Sequence, residues 1–312
     1  MSLHPTIAQA LQVAIGAKPY HALPIEEARD TARRGYLLNT PPVSVGQVQN
    51  TNWPGPQGPI PVRIYTPLAP GPHAAVVFFH GSGFVMLDLD THDDICRRLC
   101  IQSNRVVVSV DYRLAPEYPF PAAPDDCLAA TLQVISHALA LGIDTSHLAL
   151  AGDSAGACLA AVTAWRLRES HPRLIQDLLM FYPVTDAPDS NRESYQQYGQ
   201  GYGLSQEGMN WFWTQYMQNH KDHTHPHASP LRAPTLQGMP RTYIATAGHD
   251  VLRDEGQAYA ERLKKAGIEV HCVCCESLNH GFLKYLGQLS EVDDAFNDAT
   301  RWLIQGPLQR QR

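Results

Sequence analysis

The chain has 312 residues, 44% apolar and 17% charged, with a formal net charge of −6. This is the profile of a soluble globular protein able to bury a large core, and with no basic block it excludes nucleic acid as the main partner. The longest apolar runs, such as Ala74 to Phe79, are too short to cross a bilayer, so no membrane span is expected.

Residues 1 to about 40 carry a helical pattern, first with Ile7, Leu11, Ala14 and Ile15, then over a second segment from Pro24 to Leu38. This arm precedes any strand and is expected to pack over something rather than found a sheet. Pro54 to Pro59 reads as a turn between two early strands, the second including Val62 to Tyr65. From there strands and helices alternate: strand Ala74–Phe79, helix Thr91–Gln102, strand Val106–Val110, helix Pro121–Leu141, strand Leu148–Ala151 and helix Ala155–Arg168. Strand Leu178–Tyr182, strand Arg241–Thr246, helix Asp254–Ala266, strand Val270–Cys275 and helix Ser290–Ile304 complete the series. Continuous apolar strands are covered on both faces, and alternation with helices predicts an α/β fold with a mostly parallel sheet. Between Asp186 and Met239 only one aromatic helix, Ser205–Asn219, interrupts this rhythm; its aromatic spacing suits packing, and also a roof over the strand ends.

The chemistry centres on Leu150-Ala-Gly-Asp-Ser-Ala-Gly-Ala157, a G-x-S-x-G motif between a short apolar strand and an Ala-rich helix. Such a turn presents the Ser154 hydroxyl outward, with a helix N-terminus beyond it suited to a developing negative charge. A serine hydroxyl needs a base, and the base needs an acid to hold its tautomer. Asp250 and His280 follow strands in the order that this motif requires, Ser, Asp, His. Asp254 is the second candidate acid but reads better as a helix N-cap, and His249 precedes Asp250, in the wrong order. In Phe79-His-Gly-Ser-Gly-Phe84 small residues let backbone amides turn toward a cavity, so Gly81, Ser82 and Gly83, with Ala155, are the expected oxyanion hole. Phe84, Asp153, Trp211 and Trp213 are the expected substrate-pocket residues. Rate is expected to rise as His280 loses its proton.

These runs, with Asp111-Tyr-Arg-Leu-Ala-Pro-Glu117, Phe120-Pro-Ala-Ala122, Asp250-Val-Leu-Arg-Asp254 and His280-Gly-Phe282, resemble the signature set of the hormone-sensitive-lipase family. Within it, the chain resembles bacterial acetyl-esterase-like carboxylesterases with GDSAG at the serine, in order from about residue 60 to 290. The resemblance implies an α/β-hydrolase core over 46–185 and 230–312, with a helical cap from residues 1–45 and an insertion, 186–229. It also implies hydrolysis of short-chain acyl esters, with Ser154 as nucleophile, Asp250 as acid and His280 as base. The family's usual oxyanion run is His-Gly-Gly-Gly; Ser82 stands here for the middle glycine. Asp111 to Glu117 is expected to brace the site rather than react.

No phosphate-cradling or dinucleotide motif is present, and no cofactor is expected. His220, His223, His225 and His227 lie in a loop without ligand spacing, and Cys272 and Cys275 would face opposite sides of a strand, so no metal is expected. Seven scattered cysteines suit a reducing compartment and the opening Met-Ser-Leu-His-Pro lacks signal character, so a cytoplasmic location is expected. The same triad serves an amidase or peptidase, and the same scaffold serves a non-catalytic binding module. The Val270–Cys275 strand offers an edge for a homodimer.

Overall fold

A computed structural model of the chain describes residues 1–37, 41–81 and 83–306. Its centre is an eight-stranded sheet: β1 (Gln47–Gly55), β2 (Gly58–Thr66), β3 (His73–Phe79), β4 (Val106–Val110), β5 (Ile143–Asp153), β6 (Ile175–Phe181), β7 (Arg241–His249) and β8 (Val270–Asn279). The spatial order is β1-β2-β4-β3-β5-β6-β7-β8. β1 and β2 form an antiparallel hairpin about the Pro/Gly-rich turn, and β2 meets β4 antiparallel; from β4 onward every pairing is parallel.

The apolar strands divide their side chains between two layers. Val77 and Phe79 of β3 pack with α4 (Ala122–His137), α5 (Ala155–Ser170) and α8 (Arg253–Lys265), while Val76 and Phe78 face α3 (Asp93–Ser103) and α9 (Ser290–Gln305). Burying each such side chain fully contributes about 1.5–3 kcal/mol. Cys272 lies with the first layer and Cys275 with the second, on opposite sides of β8. β5 begins five residues before the apolar run that reveals it, because its first half, Ile143 to His147, is largely polar and exposed.

α1 (Pro5–Val13) and α2 (Ile25–Tyr36) make up the N-terminal arm, α2 entering from Pro24 with Glu26 and Glu27 in its first turn and Arg33 and Arg34 in its last. Those charges complement the helix dipole. Only Ile7 of α1 is buried and Leu11 half-buried; Ala14 and Ile15 fall past the helix end and are exposed. α2 is fastened to the core through Arg29, which donates to Val85 O and Ala115 O (both 2.9 Å) and to Glu117 Oε2 (2.6 Å). Residues 186–229 contain no strand among the described residues; they form α6 (Glu193–Tyr198), α7 (Gln206–Tyr216) and a short 3-10 turn, His220–Thr224. The α6 helix is too short to show in sequence periodicity; its Ser194 amide donates to Asp254 Oδ2 at 2.7 Å. Asp254 is thus not the cap of α8, which starts at Arg253 behind Leu252, but a tie to the insertion.

His223, His225 and His227 rest against Trp213, Phe120 and Trp165. Among the described residues no helix is long and apolar enough to cross a membrane, and no three His, Cys, Asp or Glu side chains group as metal ligands would.

Candidate active site

The turn from β5 into α5 is forced by contact. A Cβ on Gly156 would collide with the Phe79 carbonyl of β3, and one on Gly152 would strike the backbone of Gly156, so the elbow closes only with glycine at both positions. Between them Ser154 sits at φ 52°, ψ −120°, a conformation that costs on the order of 1–3 kcal/mol and persists because its neighbours hold it. The Ser154 amide donates to Phe181 O at 2.9 Å, and its carbonyl accepts from Val184 N at 3.2 Å. Ser154 is the N-cap of α5, whose leading amides have no acceptor within the helix.

Two other strand ends deliver the partners. Asp250 follows β7 and His280 follows β8. His280 Nε2 lies 2.9 Å from Ser154 Oγ, and Nδ1 lies 2.8 Å from Asp250 Oδ2. Asp250 is 2% exposed, and its second oxygen accepts the Leu252 amide at 3.0 Å. A carboxylate on Nδ1 keeps the hydrogen there and leaves Nε2 as acceptor toward the hydroxyl. Tyr182 meets the imidazole edge-on, ring centroids 4.9 Å apart, and Asn279 Nδ2 donates to Tyr202 O, tying the end of β8 to the insertion. His249 takes no part in the relay; it stacks on Tyr202.

The loop after β3 differs in part from expectation. Ser82 lies outside the described residues. Gly81 does not offer its amide to the cavity, because that N–H donates to Asp153 Oδ1 at 2.7 Å. Gly83 adopts φ +61°, and the Phe212 ring of α7 occupies the space where a side chain at 83 would go. Phe84 is 1% exposed and stacks on Tyr216 at 3.9 Å, which bolts the loop to α7. Trp213 is likewise buried, against Tyr216 and His223; Trp211 is half-buried beside Phe212.

Asp153 is buried as well, 3% exposed. Burial alone would raise its carboxyl, but the neighbouring His92 imidazole and the Gly81 amide together hold it below the ordinary value. His80, fully buried, is pushed down to about 4 by that burial and then by His92, and so is neutral at pH 7. Tyr112 donates to His80 O at 2.7 Å, and Arg113 grips Asp126 with two bonds of 2.7 and 2.8 Å, which makes the Asp111–Glu117 run a brace. Sequence reading missed Phe212, overshadowed by its tryptophan neighbours. It also missed His92 and Tyr182, whose contacts join segments that no local spacing connects.

Residues 76–284 match the family model described as alpha/beta hydrolase fold. Over 247 residues the chain is 42% identical to the esterase LipI of Mycobacterium tuberculosis, covering 78% of this chain and 77% of that one. It is 35% identical over 311 residues to the ethyl acetate hydrolase of Pseudomonas putida, covering 94% and 96%. Among solved structures, a hyperthermophilic esterase from Pyrobaculum calidifontis superposes with a TM-score of 0.93 at 36% identity, over 98% of this chain and 99% of that one. The chain belongs to the α/β-hydrolase family, in its hormone-sensitive-lipase-like branch of carboxylic ester hydrolases.

Proposed function

We propose that this protein hydrolyses short-chain acyl esters through an acyl-enzyme on Ser154. The observation that carries the reading is the continuous relay from Ser154 Oγ through His280 to Asp250, at 2.9 and 2.8 Å. His280 Nε2 takes the hydroxyl proton as Oγ attacks the ester carbonyl, and Asp250 steadies the imidazolium. The tetrahedral oxyanion is held by the Ala155 amide at the start of α5 and by the loop amides at Ser82 and Gly83. Collapse expels the alcohol, protonated by His280; water then attacks the acyl-enzyme by the same route and leaves the carboxylic acid. None of these steps calls on a cofactor.

The arm and residues 186–229 serve in this reading as the cap. The Phe212 ring against Gly83, with Trp211 beside it, stands next to the loop that would receive the carbonyl oxygen, which supports a short acyl group. A relative named for ethyl acetate hydrolysis supports the same size class. The seven free cysteines fit a reducing cytoplasm, and the outer edge of β8 is where a second copy would add to the sheet. Turnover of p-nitrophenyl esters from acetate to dodecanoate, beside the matching acetanilide, tests the substrate class. We expect kcat/KM to peak at acetate to butyrate and to fall about tenfold or more on longer chains, with the anilide far slower. Rates that climb toward dodecanoate, or an anilide turned over as fast as its ester, would overturn it.

A further inference from the structure

Asp153 stands directly before the nucleophile and turns away from it. It is 3% exposed, and its two oxygens serve two different segments. Oδ1 accepts the Gly81 amide at 2.7 Å, and Oδ2 accepts the Tyr182 hydroxyl at 3.3 Å. The fit at 81 is close enough that a Cβ there would run into the carboxylate. Gly81 lies two residues past the end of β3 and two before Gly83, at the root of the loop. Tyr182 follows β6 at φ 37°, and its ring is the surface against which the His280 imidazole rests.

His92 completes the arrangement, with Nε2 lying 3.2 Å from Asp153 Oδ1, off the line of a straight hydrogen bond. The placement matters, because a bare buried carboxylate beside a site of developing negative charge opposes that charge, whereas one that accepts an amide and a hydroxyl opposes it less.

We propose that Asp153 is a positioning residue: through Gly81 it sets the oxyanion loop, through Tyr182 it sets the base, and as the neighbour of Ser154 it holds both in register with the nucleophile. The proposal rests on the reading of Ser154 and His280 as nucleophile and base. In it Asp153 touches no substrate, so its loss acts on the transition state through geometry and leaves ground-state binding nearly unchanged.

The test compares Asp153→Ala, Asp153→Asn and Ser154→Ala, using p-nitrophenyl acetate and phenylboronic acid, whose serine adduct mimics the tetrahedral intermediate. Asp153→Ala is expected to lower kcat about 100-fold, the scale of one lost oxyanion donor, with KM within about threefold. The inhibition constant of the boronic acid rises in step with the loss of kcat. Asp153→Asn, whose amide oxygen still accepts from Gly81, regains about tenfold. The proposal is overturned if Asp153→Ala keeps kcat within about threefold of the parent. It is also overturned if both variants lose activity and melting temperature together while boronic acid binding stays as it was. A dead Ser154→Ala beside a fully active Asp153→Ala sinks this proposal alone; an active Ser154→Ala sinks the esterase reading beneath it.

Discussion

Along the carboxyl rim of the sheet, Ser154, Asp250 and His280 each follow directly on a strand, so backbone pairing decides where every side chain begins. In the insertion, Phe212, Trp213 and Tyr216 take their places by ring packing, with no strand beneath them. The difference separates two jobs. The rim is held by hydrogen bonds and glycine contacts that admit little variation, which suits atoms that must meet within a few tenths of an ångström. The roof is held by apolar contact, which tolerates exchange of one side chain for another of similar volume and so can retune what fits beneath it. Changes at the rim should therefore alter rate over orders of magnitude, and changes in the roof should alter preference by small factors.

The sharpest way to break the comparison is His280→Ala. Without the base the hydroxyl keeps its proton, and we expect kcat on p-nitrophenyl acetate to fall by about 10⁴-fold or more, with circular dichroism unchanged. A loss under tenfold would place the base elsewhere. Asp250→Asn comes next: an amide on Nδ1 permits the wrong tautomer, and we expect a loss of about 10³–10⁴-fold in steady-state kcat. Activity near that of the parent would mean that another acid, Asp254 first, orients His280.

A thermodynamic prediction concerns His80, at the base of the oxyanion loop. The unfolded chain binds a proton at this ring below about pH 6.5, while the folded ring resists until about 4. The unfolded state therefore binds more protons across that window. The associated stability is present above pH 6.5 and is lost as pH falls toward 4, to a total of about 3 kcal/mol. Urea unfolding of the parent and His80→Gln at pH 7, 5.5 and 4 checks this: the variant should lose less stability on acidification, and parallel curves would contradict it. The smallest effect belongs to the roof. Phe212→Leu should raise the ratio of hexanoate to acetate kcat/KM by about 3- to 10-fold, measured by competition between the two esters. An unchanged ratio would remove Phe212 from the acyl path.

Much of the rim was legible because strand, glycine and polar residue alternate at fixed offsets. The apolar runs at Ala74–Phe79 and Val106–Val110 mark buried strands, and the glycines at 152 and 156 mark the elbow. The order Ser154, Asp250, His280 then follows from three strand ends, and the structure brings these side chains within hydrogen-bond distance. Less legible were contacts that depend on the third dimension. Gly81 reads as an amide donor to the cavity, yet its N–H belongs to Asp153, a pairing between two loops that the chain order does not hint at. Trp211, Phe212 and Trp213 share one aromatic signal, and only packing separates the buried Trp213 from the ring that covers Gly83. The polar first half of β5 and the short α6 were missed for a simpler reason: neither carries enough apolar residues to show a period.

The most direct measurement is peptide mass spectrometry on protein quenched with acid during turnover of p-nitrophenyl acetate. We expect an acetyl group on the peptide that spans Gly152–Gly156, assigned to Ser154 and missing from Ser154→Ala, which should also fail to turn over. Acetylation at another residue, or a Ser154→Ala protein that hydrolyses the ester at the parent's rate, would contradict the assignment of Ser154 as the nucleophile.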